Sequence, residues 1–199
     1  MRKQQLPLGG LTAFRACFYH GKINADLNVL ISGFGGGVAQ FAFQFAQASK
    51  AKVYVTSSSE DKIQKAIDAG AAGAFNYKDP EWHKNAWKTK GGFNVVIDSS
   101  GGDQINTIIK LMRPAGRIIF FGATNGLPSS LDLYRMFWNQ IELQGSTMGN
   151  DQEFQAMVRF VDEHKIHPIV DSIRPFEEFI SAFDDLAENK KTGKLVLKM

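Results

Sequence analysis

One cysteine, six prolines and four histidines among 199 residues set the first limits. Cys17 has no second thiol to pair with, so an internal disulfide is excluded and a reducing compartment fits. His20, His83, His164 and His167 are dispersed. Only the last two lie three apart, Pro168 follows them and no third ligand is near, so zinc spacing is missing. No apolar run approaches the roughly 20 residues of a membrane helix. The net charge of +3 is spread along the chain and forms no basic stripe, which argues against a nucleic-acid surface. The basic opening, Met1 to Gln5, leads into no apolar signal core, so a cytoplasmic location is expected.

Glycine and phenylalanine are plentiful, at 19 and 16 residues. A hydrophobic content of 44% over this length suits one globular domain, or one and a fraction, with a bulky core. The glycines concentrate in one informative stretch, Asn28 to Gln47, NVLISGFGGGVAQFAFQFAQ. Val29-Leu30-Ile31 is an apolar run of the length of a buried parallel strand. Gly33, Gly35, Gly36 and Gly37 follow, and then a helical segment from Val38 to Ser49 with Phe41, Ala42, Phe45 and Ala48 on one face. Strand, glycine turn and helix together form a phosphate cradle, because backbone N–H groups and the positive end of the helix dipole face the same point. The strict G-x-G-x-x-G spacing fails at Val38, whereas G-x-x-G-x-x-A fits Gly33, Gly36 and Ala39. A strand-to-helix turn that binds nothing is the plain alternative.

Strand and helix patterns alternate onward. Ala51–Val55, Ala74–Asn76, Phe93–Asp98 and Arg117–Phe121 read as strands. Glu60–Ala69, Trp82–Lys88 and Gln104–Met112 read as helices, the last stopped near Pro114. This predicts an α/β fold, a Rossmann-type doubly wound parallel sheet with helices on both faces. Ligands of such sheets sit at the carboxyl ends of the strands, where residues 33–37, 99–102 and 122–126 are rich in Gly, Ser and Thr. Beyond them, Leu131–Asn139 reads as a helix and Ile141–Ser146 as a strand. Asp151–Lys165 and Phe176–Asn189 are amphipathic helices, with strands at Ile169–Ile173 and Gly193–Met199. The expected division is 1–146 for the cofactor-binding domain and 147–199 for a C-terminal segment.

The end of the second strand, Val55-Thr56-Ser57-Ser58-Ser59, carries no acid. A carboxylate there would accept from a ribose 2′-OH and repel a 2′-phosphate, whereas hydroxyl groups donate to the phosphate. Lys62, one turn on, adds a point charge. NADP(H) is therefore favoured over NAD(H). Ser57-x-x-Glu60 is also a helix capping box, which alone would account for these residues.

The ordered motifs LPLGGLTAFRA, VLISGFGGGVAQFAFQFA, VTSSSEDK, AGAAGAFNYKD, FNVVIDSSGG, GRIIFFGATNG and GKLVL resemble the medium-chain dehydrogenases/reductases, and within them the zinc-independent quinone oxidoreductase-like branch. The resemblance runs from Leu6 to Leu197. It implies Thr12 beside a nicotinamide, and Gly36, Gly37 and Val38 along the pyrophosphate. Ser57, Ser58, Lys62 and Tyr77 would form the 2′-phosphate set, although Tyr77 reads equally as a surface aromatic. Ser100 would border the adenosine, and Phe121, Gly122 and Ala123 the nicotinamide. The implied activity is hydride transfer between NADPH and a small-molecule quinone, enone or related carbonyl or alcohol. The alternatives are a dinucleotide-binding or dimerisation module without turnover, or an enoyl reductase or alcohol dehydrogenase of the same superfamily. No residue stands out as the proton donor.

Two departures follow. Leu8 and Gly9 stand where zinc-using members carry a cysteine ligand, and the four-cysteine lobe is missing, so neither zinc is expected. Members are also expected to run to about twice this length as two-domain chains. This chain therefore reads as the cofactor domain plus the segment that returns to an absent catalytic domain. A homodimer through the edge strand near Ile141–Ser146 is expected, since family members commonly join there.

Overall fold

The computed structural model describes residues 6–188 and 192–199. The basic opening and the expected helix end at Asn189 lie outside them. Six strands form one wholly parallel sheet: β1 (Asn28–Ile31), β2 (Lys52–Ser57), β3 (Gly73–Asn76), β4 (Phe93–Asp98), β5 (Met112–Phe120) and β6 (Glu142–Gly145). Their order is 3-2-1-4-5-6, so the chain reverses direction across the sheet between β1 and β4. That reversal opens a crevice at the carboxyl ends of the two strands.

Both faces of the sheet are covered, because alternate residues of each central strand enter different cores. Val29, Ile31, Val95 and Ile97 join one cluster with α1 (Gly9–Phe14), α2 (Gly37–Ala48) and Ala66 of α3 (Glu60–Asp68). Leu30, Val96 and Ile118 join the other with α4 (Trp82–Lys90), α5 (Gln104–Lys110) and Met136 of α6 (Leu133–Trp138). Phe41, Phe43 and Phe45 of α2 are each at most 2% exposed. Burying each contributes about 2–3 kcal/mol, which fixes where the N-terminus of this helix points. α1 runs on into a π-helical turn, Arg15–His20, whose Phe18 meets Phe45 and Phe160.

α7 (Asp151–Glu163) shares the first core through Met157 and Val161. It opens with a capping box, in which Asn150 accepts from the Glu153 N–H and Glu153 accepts from the Asn150 N–H. The same buried Glu153 pairs with Arg15 at 3.1 Å, tying α7 to the π-helical turn. β7 (Val170–Pro175) and β8 (Lys194–Lys198) pair in parallel with each other, joined through a 3₁₀ turn (Phe176–Glu178) and α8 (Phe179–Ala187).

The last strand before the edge differs from its sequence reading. α5 stops at Lys110, and β5 begins at Met112 rather than Arg117. Met112 opposes Phe93, and the register then jumps so that Arg117 opposes Val95. The extra residues form a bulge around Pro114, with Ala115 at φ +57° donating its N–H to the Asn139 carbonyl at 2.7 Å. Proline lacks a ladder donor and settles at such a bulge.

Candidate functional site

The turn between β1 and α2 is held from both sides. Thr56 at the end of β2 receives the Gly33 N–H on its hydroxyl (3.3 Å) and the Phe34 N–H on its carbonyl (2.9 Å). From α2, the Gln40 side chain donates to the Phe34 carbonyl at 2.6 Å. Phe34 itself is buried as an anchor. Gly33 lies at φ +66°, a conformation that side chains resist. A methyl on Gly35 would lie 2.8 Å from the Lys62 ammonium nitrogen, so that lysine crosses directly over the turn.

Gly36 is different. Its φ is −76°, and a methyl there would meet nothing nearer than the Gly33 carbonyl at 3.4 Å. Folding places no demand for glycine at this N-cap, where Asp or Ser would cap better. α2 carries no capping side chain and no acid in its first turn, so the positive end of its dipole is open.

Around this turn lies a cleft of about 440 Å³ at the carboxyl ends of β1, β2 and β4. Among the expected residues, Gly33, Gly36, Ser57, Ser58, Lys62, Tyr77 and Ser100 line it together. Phe121, Gly122 and Ala123 line a neighbouring hollow, also about 440 Å³, with Ser146 and Thr147 after β6. Thr12 belongs to neither lining; it is buried and its hydroxyl donates to the Leu8 carbonyl at 2.9 Å. Gly37 sits under Lys194, whose ammonium nitrogen lies 3.0 Å from where a Gly37 methyl would be. Val38 packs against the first core.

The capping-box reading of Ser57 does not hold. The N-cap of α3 is Ser59, with no side-chain cap, and Glu60 is turned away to accept from Asn76 of β3 at 2.5 Å. The Ser57 hydroxyl instead accepts the Ser59 N–H at 3.4 Å, and the Tyr77 N–H meets the Ser57 carbonyl at 3.1 Å. Lys62 is held below the ordinary lysine value, first by burial and then by Lys65, with Asp171 of β7 opposing. Lys194 is lowered too, by burial alone. Both depressions would be relieved by an anion in contact.

Beneath the cleft Asp98 is fully buried at the end of β4. Its carboxyl group accepts from the Ser32 hydroxyl (2.6 Å), the Ser100 hydroxyl (2.5 Å) and the Gly101 N–H (2.9 Å). One side chain thus joins the β1 turn to the β4 loop. The next loop is fastened by Asp103, held below the usual carboxylate range by the Ser129 N–H and hydroxyl.

Asp98, Lys194 and Asp171 escaped the sequence reading. Asp98 looked like the end of an apolar run, and the other two come from a distant segment with no local motif. Asp171 matters because it is an acid brought beside Lys62 although the end of β2 has none. Among the described residues no group of three or more His, Cys, Asp or Glu side chains could hold a metal. No described helix is long and apolar enough to cross a membrane.

Comparison with known proteins agrees with this geometry. The family model described as zinc-binding dehydrogenase matches residues 37–163. The zinc-type alcohol dehydrogenase-like protein YogA of Leptosphaeria maculans is 34% identical over 95% of this chain and 54% of its own length. Quinone oxidoreductase of Mus musculus is 26% identical over 94% of this chain and 59% of its own. A crystal structure of an NAD-dependent alcohol dehydrogenase superposes with a TM-score of 0.92 at 32% identity, covering all of this chain and 58% of that one. The chain therefore spans a little over half the length of the relatives it matches. With the sheet order, the glycine turn and the matched family model in agreement, the chain belongs to the zinc-binding dehydrogenase family of the medium-chain dehydrogenase/reductase superfamily.

Proposed function

We propose that this chain binds NADP(H) and forms the cofactor half of an oxidoreductase acting on a quinone, enone or related carbonyl or alcohol. The observation that carries the reading is Gly36, a glycine that the fold does not need, at the uncapped N-terminus of α2. A pyrophosphate fits there because the close approach requires a bare backbone. The dinucleotide, when bound, supplies or accepts the hydride. The protein holds its phosphates on the α2 turn, offers Ser57, Ser58 and Lys62 to the 2′-phosphate, and directs the nicotinamide to the hollow at Phe121–Ala123. Lys194, with its ammonium beside Gly37, adds charge at the pyrophosphate.

Calorimetric titration with NADPH and NADH tests this. NADPH is expected to bind much more tightly. Lys62→Ala is expected to weaken NADPH about 10- to 30-fold, as a charge-assisted contact does, and to leave NADH unchanged. Equal affinities for the two cofactors would return the reading to NAD(H). Asp171 would then be the nearby acid to examine.

The pH dependence follows from Lys62. The free protein holds its pKa below the ordinary value, and a bound phosphate raises it again. Binding between those two values takes up a proton. NADPH affinity should therefore fall as pH climbs through the alkaline range, sooner than for an ordinary lysine. Measuring binding enthalpy in buffers of different ionisation heat reads the proton directly, and Lys62→Ala should remove the uptake.

We also propose a homodimer. Among the described residues β6 has a strand partner on one side only, and α6 before it exposes Leu133, Tyr134, Phe137 and Trp138, each more than 60% accessible. Tyr134 and Trp138 stack at 6.2 Å between centroids. A second copy would cover both features. Gel filtration is expected to show a dimer, and Phe137→Glu a monomer of unchanged helicity; a monomer at every concentration of the unaltered chain would rule the dimer out.

A further inference from the structure

A separate cavity lies away from both the cleft and the neighbouring hollow, on the face of the sheet covered by α4, α5 and α6. It measures about 360 Å³ and shares no lining residue with the cleft. Lys84, Trp87 and Lys88 of α4 face Lys110 and Leu111 at the end of α5, and Arg135 of α6 closes the side. Four cations converge here. From Trp82 to Lys90, α4 contains no acidic residue. Glu81 pairs with Lys84 at 2.5 Å and Asp132 with Arg135 at 3.5 Å. Lys88 and Lys110 have no carboxylate partner among the described residues.

The walls are as telling as the charges. Trp87 is 47% exposed although its helix has a buried side, occupied by Trp82 and Ala86. Leu111, 1% exposed, supplies an apolar floor beside it. An open indole next to two uncompensated ammonium groups suits a flat ring that carries a negative charge. The ring would stack on Trp87, and the anion would be drawn to Lys88 and Lys110.

We propose that this groove is a second binding site, for a small aromatic anion bearing a phosphate or carboxylate group. The dehydrogenase reading does not require it, and it stands whether or not that reading holds. Phenyl phosphate is the probe, read through the indole N–H signals of the ¹⁵N-labelled chain. Trp82 and Trp138 serve as internal references, and Trp87→Phe assigns the third signal.

Phenyl phosphate is expected to move the Trp87 signal saturably, with dissociation in the millimolar range or below. The exposed double variant Lys88→Ala/Lys110→Ala is expected to weaken that binding about tenfold, since it removes two screened contacts to the anion. Benzyl alcohol, which has the ring without the charge, should move the signal far less. A Trp87 signal that phenyl phosphate leaves in place overturns the proposal. Equal binding by the double variant, or an equal response to benzyl alcohol, overturns it as well.

Discussion

Gly36→Asp is expected to destroy cofactor binding and leave the fold as stable as before, or slightly more so. The backbone at 36 is extended, with φ −76° and ψ 145°, which any residue adopts. The nearest atoms to an added Cβ, the Gly33 carbonyl at 3.4 Å and the Ala39 Cβ at 3.9 Å, are at ordinary contact distance. An aspartate at an N-cap accepts the first orphan amides and complements the dipole, gaining a few tenths to about 1 kcal/mol over glycine. The same carboxylate would stand where the proposed pyrophosphate would sit. Two like charges about 4 Å apart repel by about 4 kcal/mol at an effective dielectric of 20, which raises Kd roughly 100- to 1,000-fold. Gly36→Ala separates size from charge and should give a milder loss. Gly33→Ala provides the contrast, because its φ of +66° makes the methyl a cost to folding. Thermal unfolding and NADPH calorimetry on the three variants decide the matter; undiminished NADPH binding by Gly36→Asp would remove the pyrophosphate from this turn.

Asp98→Ala is expected to have the opposite character, harming stability first and binding as a consequence. It removes the acceptor for three donors at a fully buried position. The Ser32 hydroxyl is buried and already accepts the Ser99 N–H at 3.1 Å, so its own proton is left stranded. Orphaning buried donors and opening a small cavity together cost about 3 kcal/mol. For a chain of this size that lowers the melting temperature by about 6–12 °C. Asp98→Asn should cost less, about 1–2 kcal/mol, because its amide oxygen can keep the Gly101 N–H and its NH2 can donate to the serine hydroxyls, so that only the serine protons lose their acceptor. The order Ala worse than Asn, with NADPH affinity falling in step with the loosened Ser32 and Ser100 loops, is the expected denaturation and titration result. Equal melting temperatures for all three proteins would show that the network contributes nothing to folding.

Much of this was legible along the chain. Val29-Leu30-Ile31, the glycine cluster and the phenylalanines of α2 specify strand, turn and helix from local pattern alone. The alternation continuing to Phe93–Asp98 implies a parallel sheet, since parallel neighbours need a crossover between them. Hydroxyl-bearing loops at the strand ends marked the cleft, and Ser57, Ser58, Lys62 and Tyr77 meet there. Short-range rules failed at Met112, where pairing with Phe93 overrode the helical reading and Pro114 was taken up in a bulge.

The sequence by itself determined the element order, the glycine turn and the sheet class, because each depends on periods of two or 3.6 and on backbone preferences within a few residues. Only the tertiary structure decided that Gly36 is free of any folding constraint, while Gly33, at φ +66°, is not. It alone turned Asp98 from the tail of a strand into the clasp of two loops, and carried Lys194 over Gly37 and Asp171 beside Lys62, each from more than a hundred residues away in the chain. The physical reason is the same in each case. Burial, charge coupling and steric room are properties of neighbours in space, and a parallel sheet takes those neighbours from remote stretches of sequence.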